Sequence, residues 1–260
     1  MWLVADADTN IYILGTMHAL PRGTDWDEGR VATATAAADE LMMELSPAEL
    51  AAAGEMFRKL APRDVPLAIE ARLSGKALTG FRALEASGRS FGEDGLDDWA
   101  VMVLMGQRVA QNAGLSSADG VETGLTEKFK AAGKPIGGFE TAREQLMLFE
   151  TLDPRTQRIL LTRAAEEASD AVKEVGALTA AWGRGDVAAL EKVINQDIDS
   201  VPAARKAIIT DRNRRWSAWI KRRMSQRGTV LVAVGAGHLV GADGVPAMVA
   251  ADGFKVTRVQ

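Results

Sequence analysis

Strand-forming segments stand at both ends of this chain, and that placement constrains its fold more than any other feature. At the start, Trp2–Ala5 and residues 10–14 are short apolar stretches separated by Asp6-Ala7-Asp8-Thr9, whose small acidic residues suit a tight reversal, so a hairpin is predicted. At the end, residues 229–234 form an unbroken apolar run rich in valine, and Asp252-Gly253 turns a short helix over 245–251 into a last strand over 254–259. Between the ends only Glu40-Leu41-Met42-Met43-Glu44-Leu45 and Ile136-Gly137-Gly138-Phe139-Glu140 carry strand character. Residues 26–38, 96–112 and 119–132 predict helices, and 50–117 is mostly helical in character. Residues 141–226 are rich in alanine, leucine, arginine and glutamate, punctuated by Asp153-Pro154, Gly183, Gly185-Asp186 and Pro202. The expected fold is α/β: a central mixed β-sheet formed by both chain termini, flanked by helices. It forms one domain over 1–260, with a large helical insertion at about 141–226.

Composition narrows the function classes. The chain has 260 residues without cysteine, which removes disulfides, thiolate metal sites and cysteine nucleophiles. Its 31 basic and 35 acidic residues leave a formal charge of −4, so no global field collects phosphate backbones. Residues 212–227 are a local exception, with seven lysines and arginines, tryptophans at 216 and 219 and no acid. Such a helix is expected to pack its tryptophans inward and solvate its charges, so no nucleic-acid partner is expected. No apolar run approaches the roughly 18 residues needed to span a bilayer. The compartment stays open: a removed leader would mean the periplasm or the exterior, and otherwise the chain is cytoplasmic.

The chain contains two histidines, and each ends a predicted strand within the same pattern: Gly15-Thr16-Met17-His18 and Gly235-Ala236-Gly237-His238. In α/β sheets ligands bind beyond the carboxyl ends of the strands, where glycine lets the backbone approach closely. Gly15, Gly235 and Gly237 are therefore expected beside substrate. Paired imidazoles suit metal binding or proton transfer. Either chemistry needs a carboxylate, and Glu44 and Glu140 stand at the ends of the other two internal strands. Glu122 stands at a helix start, where the helix dipole is explanation enough for an acid. No Gly-x-Ser-x-Gly elbow, phosphate-cradling glycine loop or His-Glu-x-x-His pattern occurs.

Together these segments are similar to the TraB/GumN family. The resemblance rests on residues 10–18, Met43-Glu44-Leu45, Gly133-Lys134-Pro135 running to Phe139-Glu140-Thr141 with Glu144-Gln145-Leu146, and residues 232–241 with Asp243-Gly244-Val245. That family is similar to the Tiki proteases, the erythromycin esterases and the ChaN haem-binding lipoproteins. The resemblance implies a hydrolase of the Tiki kind, a divalent-metal-dependent peptidase. His18, His238 and at least one of Glu44 and Glu140, Glu44 first, would hold manganese, cobalt or zinc, a remaining carboxylate of that pair would relay protons, and Glu122 would lie near substrate. Arg212-Asn213 matches an arginine-asparagine pair late in a long helix, with Arg212 expected to steady negative charge. The partner would be a peptide or another small-molecule substrate. Two other readings stay open: a metal-independent esterase with a histidine base, and a protein that captures a peptide or haem without turnover.

Overall fold

The computed structural model describes residues 1–260, the side chains of 194–197 excepted. The strands are β1 (Trp2–Ala5), β2 (Thr9–Thr16), β3 (Leu20–Pro21), β4 (Glu40–Leu45), β5 (Leu115–Ser116), β6 (Ile136–Glu140), β7 (Gly228–Gly235) and β8 (Val256–Arg258). Six form one sheet in the order β6-β4-β7-β2-β1-β8, and β3 pairs with β5 apart from it. β2, β7, β4 and β6 run parallel, whereas β1 is antiparallel to both β2 and β8. The sheet is thus mixed and built from both termini. The first turn forms as its acids predict: Asp6 Oδ1 accepts the N–H of Thr9 at 2.9 Å and closes the β1/β2 hairpin.

The helices are α1 (Gly29–Ala37), α2 (Pro47–Leu60), α3 (Gly75–Ala86), α4 (Asp98–Asn112), α5 (Val121–Ala131), α6 (Ala142–Glu150), α7 (Pro154–Glu167), α8 (Ala171–Gly183), α9 (Val187–Ile198), α10 (Pro202–Arg205), α11 (Asp211–Arg223) and α12 (Val245–Ala251). Their starts are written locally. Ser46 caps α2 by accepting from the Glu49 N–H, and Asp153 caps α7, each followed by proline at the first helical position. α6 opens with a capping box in which Thr141 and Glu144 satisfy each other's backbone, directly after Glu140 at the end of β6. α1 begins at Gly29, later than the expected Trp26: Glu28 is extended and Gly29 takes a positive φ of 53°, which a glycine allows. Among the described residues no helix is long and apolar enough to cross a membrane.

β7 shows why its sequence is an unbroken apolar run. Leu231 and Ala233 face α1 and α5, packing with Val31, Ala34, Leu125 and Phe129. Val230, Val232 and Val234 face the other way, against Trp216, Ile220 and Val249 of α11 and α12. A parallel strand buried on both faces cannot alternate with polar residues. Each of these valines contributes about 1.5–3 kcal/mol through burial. A separate helical core, with Phe81, Met105 and Leu161 at its centre, joins α3, α4 and α7.

Candidate functional site

Because β6, β4, β7 and β2 are parallel neighbours, their carboxyl ends form one edge, and each delivers a polar residue there. Glu140 closes β6, Glu44 lies next to last in β4, Gly235 closes β7 before the short turn Ala236–Leu239 that carries His238, and β2 runs out two residues before His18. The two glycines that open the histidine motifs are fixed by close approach. A Cβ on Gly15 would lie 3.1 Å from the Ala236 backbone, so one motif's turn packs on the other's. A Cβ on Gly235 would lie 3.2 Å from Glu44 Oε1, 3.7 Å from His18 Nε2 and 3.7 Å from His238 Cδ2. The two rings therefore stand within twice that last distance of each other, inside the roughly 10 Å that a shared site allows. Gly237 lies in the turn just before His238.

Arg212 is the centre of the cluster. Its Nε donates to both Glu140 oxygens at 3.0 and 3.1 Å, and Nη2 donates to Glu140 Oε2 at 2.8 Å and Glu44 Oε2 at 2.6 Å. Nη1 donates to His238 Nε2 at 3.0 Å and to the Ile208 carbonyl at 3.3 Å. A π-helical turn, Lys206–Thr210, immediately precedes α11, and such turns are frequent at functional sites. Asn213 donates through Nδ2 to the carbonyls of His238 and Asp243, which turns its Oδ1 to His238 Nδ1 at 2.7 Å. This pattern assigns the His238 proton to Nδ1 and leaves Nε2 as the acceptor of the Arg212 N–H.

The two histidines are not equivalent, although their motifs are. His238 is 8% exposed and His18 is 70% exposed. His18 Nδ1 donates to Glu122 Oε1 at 2.7 Å, and Thr16 donates to the same oxygen. Glu122 thus does more than favour the start of α5. Its Oε2 is buried with no hydrogen-bond partner among the described residues. The surrounding protein would by itself lower the His18 pKa, but the hydrogen bond and charge of Glu122, with the charge of Glu44, raise it to about 9. Solvent around so exposed a ring moderates that rise. His238 is held down at about 4 by burial, opposed by the Glu44 charge and reinforced by Arg212 and His18. Burial would raise Glu44, but the charges of His238 where protonated, of Arg212 and of His18, with the Gly235 N–H at 2.8 Å, hold it at about 2.

The expected site residues His18, Glu44, Glu140, Arg212, Asn213 and His238 come together here, with Glu122 behind His18. Four more side chains take part that sequence reasoning passed over. Gln145 donates to Glu44 Oε2 at 3.0 Å, and Arg215 donates to Glu140 Oε1 at 3.0 Å. Thr16 holds Glu122, and the Trp216 ring lies 4.5 Å from the His238 ring. Gln145 had a signal: it follows the capping-box glutamate of a helix that starts at Ala142, two residues after Glu140, so it had to lie near the strand ends. Trp216 stacks on Phe139 and lies under the Arg212 guanidinium, the inward packing expected of that basic stretch.

A divalent ion does not fit these residues as they stand. A shell of His18, His238 and Glu44 needs the lone pair of His238 Nε2, and Arg212 Nη1 donates to it. Glu44 spends one oxygen on Arg212 and Gln145 and the other on the Gly235 N–H. The guanidinium already supplies the positive charge that the buried acids require. Among the described residues no group of three histidine, aspartate or glutamate side chains is set to hold a metal.

Comparison with known proteins agrees with the motifs at the sheet edge. Neither the curated proteins nor the solved structures give a match. The family model described as TraB/PrgY/gumN matches residues 1–258, from the first strand through the last and across every residue of the cluster, so the chain belongs to the TraB/PrgY/gumN family.

Proposed function

We propose that this chain is a hydrolase of acyl bonds, an esterase or peptidase, in which His18 is the general base and no metal takes part. The observation that carries this reading is the hydrogen bond from His18 Nδ1 to Glu122, on a ring open to solvent whose Nε2 faces the space over Gly235. A carboxylate on one imidazole nitrogen fixes the tautomer and stabilises the imidazolium formed when the other nitrogen takes a proton. Water attacks the acyl carbon while His18 Nε2 accepts its proton, and the same nitrogen then returns that proton to the departing alcohol or amine. Arg212, which also donates to His238, holds Glu44 and Glu140 in place and offsets their charge.

The test is a panel of acyl esters and peptides offered to the chain and to a folded His18→Ala variant. Loss of about 10²–10⁴-fold in kcat is expected in the variant, with activity in the parent unchanged by a chelator. Activity that fails in chelator and returns with manganese, cobalt or zinc overturns the metal-free mechanism, and no turnover of any substrate overturns the hydrolase. The base must be unprotonated, so activity rises with pH through a midpoint above the ordinary 6.5 and no higher than about 9. In Glu122→Gln the charge that raises His18 is gone, and the midpoint moves down. A midpoint that stays where it was shows that Glu122 does not act on the base.

A further inference from the structure

The edge of the sheet that carries the histidines continues past β2. β1 runs antiparallel to β2, so its first residue, Trp2, lies at that same edge, and β8 brings Arg258 beside it. A cavity of about 250 Å³ opens there, roofed by the end of α8 and the start of α9. Its walls include Trp2, Trp26 and Trp182 with Leu14, Leu190 and Leu239. Its floor is Gly15 and Ala236, the first and second residues of the two histidine motifs. Trp182 is fixed over that floor, because its Nε1 donates to the Gly15 carbonyl at 2.8 Å.

We propose that this cavity is the specificity pocket of the site, taking an aromatic or bulky apolar group of the acyl substrate while the acyl carbon lies at His18. The proposal rests on the hydrolase reading and names its substrate class. Three features carry it. The volume falls below the roughly 300–1,000 Å³ of pockets that hold whole drug-sized ligands, and suits one ring-sized group. Three indoles present flat apolar surface, for which an aromatic or branched group is the matching chemistry. The charges at the rim, Asp25 and Glu28 against Arg184 and Arg258, balance in sign, so no net charge selects an ion. The shared wall matters too: Gly15, next to last in β2, stands three residues before His18, so pocket and base are positioned by the same strand end.

Gly183, at the end of α8, lines the cavity; its φ is not positive, and a Cβ there meets nothing within 4 Å. Gly183→Phe therefore narrows the cavity without backbone strain, and Val187→Trp does so from α9. The experiment measures binding of N-acetyl-phenylalaninamide and of N-acetyl-glycinamide by ligand-observed NMR, using the whole chain, its His18→Ala form and both filled variants, with melting temperatures as a check on folding. The phenylalanine probe is expected to bind saturably and about tenfold or more tighter than the glycine probe, equally in the parent and His18→Ala, and to lose that advantage in both filled variants. Equal binding of the two probes, or an advantage that survives both filled variants, overturns the pocket. Selective binding by a chain that hydrolyses nothing sustains the pocket as a ligand site and removes the hydrolase.

Discussion

Arg212→Met is expected to destabilise the chain by about 3–5 kcal/mol, the cost of leaving buried charges without their partner. Arg212 is 6% exposed, as a cation among acids, with Glu44 at 12% and Glu140 at 3%. Methionine fills a similar volume and stacks as well on Trp216, so the loss isolates the charge and its hydrogen bonds. Arg215 still reaches Glu140 from the surface, and Gln145 still reaches Glu44, but Glu44 loses its strongest donor and His238 Nε2 the donor it has among the described residues. Adding Glu140→Gln to Arg212→Met removes one of the stranded charges and should recover a good part of the loss, a coupling that a double-mutant cycle in urea reads directly. A loss below about 1 kcal/mol, the scale of a surface pair, would mean that Arg212 is not the cluster's counter-charge. Arg212→Lys is expected to fall between, because an ammonium is a point charge without the planar fork that serves two carboxylates and an imidazole together.

This network explains which parts of the site could be read in advance. Strand ends are local events, marked by an apolar run that stops at glycine or a charge, so Glu44, Glu140 and both histidine motifs were legible before any coordinates. What the sequence could not carry is the environment of each side chain. Gly15-Thr16-Met17-His18 and Gly235-Ala236-Gly237-His238 look alike, yet one imidazole is exposed on Glu122 and the other buried on Asn213. Those partners come from α5 and α11, helices whose docking is set by packing on opposite faces of the sheet. The metal shell expected from the motifs is not shown, and no group set to hold a metal stands among the described residues. The residue types were right for ligands, but the cation among them is a guanidinium held in place by the start of α11, which only the tertiary arrangement reveals. Helix boundaries between residues 50 and 117 were equally hard to place, because that segment folds onto a helical core of its own, around Phe81 and Met105.

The contrast between the histidines has a second consequence, in the dependence of stability on pH. His238 titrates at about 4 in the folded chain against 6.5 when unfolded. Between those values the unfolded chain binds the extra proton, so stability falls as pH drops from 6.5 through about 4, by on the order of 3 kcal/mol in all. Glu44, held at about 2 against 4.5, adds a second loss that begins only below 4.5. His18 acts in the opposite sense: its raised pKa contributes stability that is fully present below 6.5 and is lost as pH rises toward 9, an effect that solvent keeps small. The window between 4.5 and 6.5 therefore belongs mainly to His238; the Met1 amine, lowered by burial to about 6 from 8.0, adds a fall of its own as pH drops from 8 through 6. Urea unfolding at neutral pH and at about pH 5 is expected to show the fall in the parent, and in His238→Gln, which has nothing to protonate there, only the part of the fall due to the Met1 amine should remain, although the variant is less stable throughout. If the slope persists undiminished in that variant, the buried imidazole is not the group that titrates. Its place between Asn213 and Arg212 would then have to accommodate the protonated ring, which the donated N–H of Arg212 forbids.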